Sequence, residues 1–171
     1  MHGTAKLGAG LLALICVAAP LPVAHAGEPD SGHTRGVNMR GDHAMGFSHM
    51  KVTHHFRLLP DGGAIEITAS DPADTVSRDA IRVHLAHIAV LFADGDFTAP
   101  MLIHDRVPPG VPELQQLRAK VRYAYESIED GGRVLISTRN ARALVAIHDF
   151  LRFQITDHKT GDPLEVLAAP R

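Results

Sequence analysis

An internal repeat restricts the fold of this chain more than any other feature of its sequence. Two runs of alternating apolar and polar residues surround the turn signal Pro60-Asp61-Gly62-Gly63. The same arrangement recurs 69 residues later, around Glu129-Asp130-Gly131-Gly132. Strict alternation predicts strands with one buried face, and Asp-Gly or Gly-Gly between two such runs predicts a tight hairpin turn. The repeat therefore predicts two β-hairpins of similar design.

Each hairpin is followed by a helical pattern. In both patterns, the residues expected to face the core recur at spacings of 4, 3 and 4, and they form the seam of the helix. These seam residues are Ile81, Leu85, Ile88 and Phe92 in the first pattern, and Leu144, His148, Leu151 and Ile155 in the second. Asn140 is a suitable N-cap, and Gly95 and Gly161 are suitable helix ends. We expect a duplicated ββα unit, which is an α+β fold with a four-stranded antiparallel sheet and two helices packed on one face.

The turn signals also predict a strand register. A turn at Asp61-Gly62 places Phe56 opposite Ile67 and Arg57 opposite Glu66. The same turn places Leu58 opposite Ile65 and His54 opposite Ala69. In the second hairpin, a turn at Asp130-Gly131 places Tyr125 opposite Ile136 and Tyr123 opposite Thr138. One face of each hairpin is then apolar and the other polar.

The first 26 residues have the organisation of a secretory signal peptide. Lys6 precedes the uncharged apolar run Leu7–Ala19, and Ala24-His25-Ala26 matches the small-x-small cleavage pattern. The run is shorter than the roughly 20 residues of a membrane-spanning helix. We therefore expect cleavage after Ala26 and a location in the periplasm or outside the cell.

The remaining chain divides into an arm and one domain. Residues 27–46 are rich in small and polar residues, which predicts a flexible arm. Residues 47–171 form the single α+β domain, with repeats at 47–95 and 119–160 and a Pro-rich connector between them. One short helix is expected near residues 113–120.

The composition excludes several classes of partner. The net charge is −2 and no basic cluster occurs, which argues against nucleic acid. No second apolar segment is long enough to span a membrane.

The single cysteine, Cys16, leaves with the signal peptide, so disulfides do not stabilise the mature chain. The expected partner is a metal ion or a small ligand.

Histidine is the residue that points to function, since 12 occur in the sequence and all but His2 and His25 lie in the mature chain. His54 lies on the apolar face of its strand. His84 and His87 are helical neighbours, spaced so that both imidazoles can reach one ion. His148 lies on the seam of the second helix. We expect His54, His84, His87 and His148 to converge on one site.

Further ligands are expected around that site. His104 and Met101 lie in the connector, where they could fold over its mouth. The arm and its flank add further groups of the same kind, namely Met39, His43, Met45, His49 and Met50. Imidazole and thioether ligands without thiolate favour copper before zinc. His158 lies ten residues beyond His148, about 15 Å along a helix, and is therefore expected outside the ligand shell.

The sequence leaves four functions open. The first is a metal-binding protein for sequestration, delivery or sensing. The second is non-covalent haem binding, with His84, His87 or His148 as axial ligand. The third is a structural or interaction domain without a cofactor, in which buried histidines respond to pH. A metalloenzyme is supported least, because no general base accompanies the inward histidines and no catalytic motif occurs.

Five stretches of the chain resemble a group of exported bacterial proteins that carry no assigned function. The stretches are Met45-Gly46-Phe47, Thr53-His54-His55-Phe56, His84-Leu85-Ala86-His87-Ile88-Ala89, His148-Asp149-Phe150-Leu151-Arg152-Phe153-Gln154-Ile155 and His158-Lys159-Thr160-Gly161-Asp162-Pro163. The resemblance covers most of the mature domain. It implies a coherent family and an envelope location, and it implies no activity, cofactor or substrate.

Overall fold

The computed structural model describes residue 2 and residues 31–168. The predicted signal peptide and its cleavage site lie outside the described residues, apart from His2. In chain order the helices and strands are α1 (Ser31–Met45), β1 (Val52–Leu59), β2 (Gly62–Ala69), α2 (Thr75–Asp94), α3 (Thr98–His104), α4 (Val111–Gln116), β3 (Val121–Ile128), β4 (Gly131–Thr138) and α5 (Ala141–His158). Single 3-10 turns precede β1 and β3.

The four strands form one antiparallel sheet in the order β1-β2-β4-β3. The expected α+β fold, with two ββα units and two long helices on one sheet face, is confirmed. Each long helix packs mainly on the hairpin of the other unit: α2 lies on β3 and β4, and α5 lies on β1 and β2. This exchange joins the two units through one shared core.

The predicted register is wrong by two residues in both hairpins. Phe56 pairs with Ile65 and His54 with Ile67, so the first loop is Pro60-Asp61. In the second hairpin Tyr125 pairs with Val134. A shift of two residues keeps every side chain on its predicted face.

The glycines explain this error, because they lie in the strands and not in the turns. A Cβ atom on Gly62 would lie 1.8 Å from the Ile136 carbonyl oxygen, and one on Gly63 would lie 2.2 Å from Leu151 Cδ1. Positive φ angles occur at other glycines. Gly62 therefore permits the close approach of β2 to β4, and Gly63 that of α5 to β2. Neither glycine is there to form a turn of positive φ.

The helix signals in the sequence are largely confirmed. The Asn140 side chain accepts a hydrogen bond from Ala143 N–H at 2.9 Å and begins α5. Gly95, with φ of 83°, ends α2. α5 ends at His158, before the expected end at Gly161, and its C-cap residue Lys159 takes the left-handed conformation. Of the eight predicted seam residues only Leu144 is not fully buried.

Residues 31–45, which lie within the predicted flexible arm of residues 27–46, form the helix α1 in the structure. The helix has no apolar period, and its position depends on contacts with the rest of the domain. Val37 is 1% exposed. Arg40 Nε donates to the Ile103 carbonyl at 2.8 Å, and His33 Nε2 donates to Asp157 at 2.9 Å. Tertiary packing thus overrides a composition typical of a loop.

The connector holds more helix than the single short one expected at residues 113–120. α3 lies within it and α4 begins at Val111, before a 3-10 turn at residues 118–120. Proline is compatible with both helices because it stands in their first turns.

The residues after α5 cover the free edge of β1. Phe56 N–H donates to Asp162 at 2.9 Å, and Leu167 N–H donates to the Leu58 carbonyl at 2.8 Å. Asp162 also accepts from His55 Nδ1 at 2.9 Å. This segment therefore occupies hydrogen-bonding groups that an edge strand would otherwise expose, and His55 has a structural partner.

No single helix between residues 31 and 168 is long and apolar enough to cross a membrane. Helices α2 and α3 reach that length and apolar character only when they are taken together, and a bend of 108° separates them.

Replacing Gly110 with Ala is expected to destabilise the fold strongly. Gly110 has φ of 81°, and a Cβ atom there would lie 2.1 Å from the Ala146 carbonyl oxygen of α5. Gly161 has a similar φ of 77° with no atom within 4 Å of an added Cβ, so Gly161→Ala is the matched control. The control should lower the free energy of unfolding by roughly 1–2 kcal/mol, which is the cost of the left-handed conformation alone. Gly110→Ala should lower it by clearly more. Urea unfolding measures both, and equal losses would contradict the packing of α4 on α5.

Candidate functional site

A small apolar pocket lies between α2 and α5, above the inner face of β1 and β2. Its volume is about 70 Å³. Four histidines line it, namely His54, His84, His104 and His158. The remaining wall is mostly apolar, apart from Gln154. Met45, at the end of α1, also contributes to the wall.

His54 and His158 form the side of the pocket that faces α1. Their rings are parallel within 4°, with centroids 5.6 Å apart, and His158 lies 4.9 Å from the His104 ring. Neither His54 nor His158 has a hydrogen bond to a ring nitrogen among the described residues. Both also line a larger outer cleft of about 280 Å³ beneath α1. The two imidazoles thus separate the apolar pocket from the more polar outer cleft.

Burial favours the neutral form of three of the pocket histidines, His54, His84 and His158, by lowering their pKa values. Burial lowers the pKa of His54 to about 4, and burial also lowers the pKa of His84 to about 4. Burial lowers the pKa of His158 to about 3, an effect that His54 and His104 reinforce and Asp157 opposes. A neutral imidazole with an unpaired nitrogen has a lone pair available to a metal ion or to a hydrogen-bond donor.

His104 is the most deeply buried histidine, with 1% exposure. Its Nδ1 donates to Asp157 Oδ2 at 2.5 Å, and its Nε2 lies 3.0 Å from Gln154 Oε1. Burial raises the pKa of Asp157, but hydrogen bonds from His104 and His33 hold it below its ordinary value. A carboxylate on the far nitrogen is the arrangement that orients many metal-binding histidines.

The Gln154 amide is buried without a full set of partners. The side chain is 4% exposed, and its Nε2 has no hydrogen-bond partner among the described residues. Rotating the amide by half a turn brings NH2 onto His104 Nε2 and leaves the oxygen unpaired instead. In either orientation one polar atom of a pocket-lining residue is available to a ligand.

His84 connects the pocket with the outer surface of α2. It lies in edge contact with Phe47, with ring centroids 5.6 Å apart. His87, which is exposed, shares with His84 and Met45 an open depression of about 490 Å³. The nearby His87 is the second cause, after burial, of the lowered pKa of His84.

The four histidines predicted to converge do not meet. His54 and His84 line the pocket together, but His87 faces the outer depression. His148 Nε2 donates to the carbonyls of Leu59 and Gly62 at 2.9 and 3.0 Å, and so joins α5 to the first hairpin turn. His148 therefore has a structural role at a distance from the pocket.

The two connector residues also separate. His104 enters the pocket wall, whereas Met101 packs against the hydrophobic core and does not line the pocket. The thioether on the pocket wall belongs to Met45 instead.

His158 and Gln154 are the pocket residues that the sequence did not reveal. His158 was excluded because it is about 15 Å from His148 along a helix. The same distance brings His158 to the pocket, because α5 runs antiparallel to β1. The five residue-to-residue steps from Leu59 back to His54 span about 16 Å of strand. A helix with His148 above Leu59 therefore brings His158 above His54. The sequence does not give the direction of α5 relative to β1, and this is why it does not predict His158 in the pocket.

Neither a preformed group of metal ligands nor a match to a known protein indicates the function. Between residues 31 and 168, no three His, Cys, Asp or Glu side chains are arranged so that they could together hold a metal ion. No protein-family model, curated protein or solved structure matches the chain.

The buried neutral histidines predict that acid destabilises this domain. In the unfolded chain these residues take up protons near pH 6.5, whereas His54, His84 and His158 resist protonation in the fold until about pH 4 or below. The unfolded state then binds more protons, so the free energy of unfolding falls as the pH decreases from about 6.5 to 4. The expected loss is about 1 kcal/mol per pH unit for each such histidine.

The variant His158→Leu should flatten this dependence, and the exposed His43→Ala is the matched control. Urea unfolding at intervals between pH 7 and 4.5 measures the slopes. Identical slopes in wild type and His158→Leu would contradict the burial of a neutral imidazole at this position.

Proposed function

We propose that this protein binds a transition-metal ion, copper(I) before zinc, at the apolar pocket, and that it serves sequestration, delivery or sensing. His54 and His158 are the proposed primary ligands, with Met45 and His84 as the neighbouring groups that complete the shell. Because residues 1–26 have the pattern of a secretory signal peptide, we place the protein's action in the periplasm or outside the cell.

One observation carries the proposal. Two neutral imidazoles with unpaired nitrogens lie with their centroids 5.6 Å apart, at the boundary between an apolar pocket and a cleft. The ring nitrogens of both residues have no hydrogen-bond partner among the described residues, so each neutral imidazole offers a lone pair to a metal ion.

The ligand set favours copper(I) over zinc. Structural zinc sites have four ligands in a tetrahedron, and no group of three His, Cys, Asp or Glu is preformed among residues 31–168. Copper(I) accepts fewer ligands and softer ones, and the thioether of Met45 stands on the same wall. An apolar wall also favours the ion of lower charge.

Haem fits this pocket poorly. The pocket volume of about 70 Å³ is well below the roughly 300–1,000 Å³ of pockets that hold drug-sized ligands. In addition, His148, one of the three predicted axial ligands, already donates to two carbonyls.

Copper(I) titration of the mature protein, purified without a histidine tag, tests the proposal. We expect one ion to bind per chain in competition with a coloured copper(I) chelator. The double variant His54→Leu with His158→Leu should lose this tight binding and still fold, because leucine suits an apolar pocket. His43→Ala, which changes an exposed histidine outside the pocket, should bind copper as wild type does.

Three results would contradict the proposal. They are a wild-type protein that takes up no copper, a double variant that retains full affinity, and a Soret absorption band in the protein purified from cells. If neither copper, zinc nor haem binds, the histidines serve the fold alone.

A further inference from the structure

We propose that the depression on the outer face of α2 is an entry site, where Met45, His84 and His87 first bind a copper(I) ion and pass it to the inner pocket. This inference rests on the proposed function and adds the route by which the ion reaches His54 and His158.

The depression brings together ligands of the right kind at the surface. Met45 supplies a thioether and the helical neighbours His84 and His87 supply two imidazoles, on the wall of an open hollow of about 490 Å³. His87 is exposed, and its ring nitrogens have no hydrogen bond among the described residues. Thioether and imidazole ligands suit copper(I).

Two of these three residues also face the inner pocket. Met45 and His84 line both the depression and the pocket, whereas His87 lines only the depression. His54 lies near His84, and this proximity is the second cause, after burial, of the lowered pKa of His54. An ion at the surface therefore moves inward by exchanging His87 for His54 while Met45 and His84 stay in reach. The exchange changes neither the oxidation state of the ion nor its charge.

The outer cleft beneath α1 is a less suitable entrance for a cation. Its wall includes the ammonium-bearing Lys159, which repels a positive ion. Its additional histidine, His49, already bonds through Nδ1 to the Asp42 carboxylate at 2.9 and 3.0 Å. In the depression, the charged wall residue is the carboxylate of Asp79, which pairs with Arg78 at 3.0 Å and Arg82 at 3.6 Å.

Stopped-flow transfer from the coloured copper(I)–bicinchoninate complex to the full mature protein tests the entry site, under anaerobic conditions with ascorbate. We expect His87→Ala to slow the initial transfer by about tenfold, the lower end of what loss of a supporting group costs metal sites. The final amount of bound copper should be unchanged. His49→Ala, in the cleft, and His43→Ala, outside all three cavities, should transfer copper at the wild-type rate.

Each alternative result overturns a specific statement. A wild-type rate for His87→Ala, or slow transfer in His49→Ala, overturns the entry site while the proposed function stands. A smaller final amount of copper in His87→Ala would place His87 in the final site and overturn its role in entry. A wild-type protein that removes no copper from the complex overturns the proposed function itself, and this inference with it.

Discussion

The close contact between α5 and the first hairpin determines which side chains meet in the pocket. Gly63 has no side chain, and Leu151 of α5 fills the space where a Cβ atom would lie. The hydrogen bonds from His148 to the hairpin turn hold the same helix at one further position. With α5 fixed in this way, its last turn lies above the first residues of β1, and His158 stacks on His54. The pocket is thus a consequence of helix–sheet packing in a different part of the domain.

That packing creates an unusual electrostatic environment. Three imidazoles are held neutral because burial lowers their pKa values, while the fourth, His104, bonds to a carboxylate. An ordinary core would place apolar side chains in these positions. The imidazoles of His54 and His158 instead offer lone pairs to a ligand, and their burial in the neutral form leaves the domain sensitive to acid.

The sequence predicted the fold better than the site. The alternation of apolar and polar residues around two Asp-Gly-Gly stretches was enough to predict the hairpins. The 4, 3, 4 spacing of seam residues was enough to predict α2 and α5. The strand register was missed because glycine serves close packing here, a use that depends on neighbouring strands and not on local sequence. α1 was missed because its position depends on contacts such as the one between Arg40 and the Ile103 carbonyl.

The site was predicted only in part because its members come from separate elements. His54 and His84 were identified from the faces of a strand and a helix, and His104 from its place in the connector. His148 was included and His158 excluded because α5 was placed without its direction relative to β1. Sequence periodicity indicates which face of a helix is buried, but it does not indicate which end of the helix meets a given strand residue.

Imidazole nitrogen NMR of residues 27–171, recorded before and after addition of one equivalent of copper(I), tests whether His54 and His158 bind the ion. We expect the ring-nitrogen signals of these two residues to shift on binding, while those of His148 and His55, which are already hydrogen-bonded, remain in place. Shifts confined to histidines outside the pocket, such as His43, would contradict this expectation.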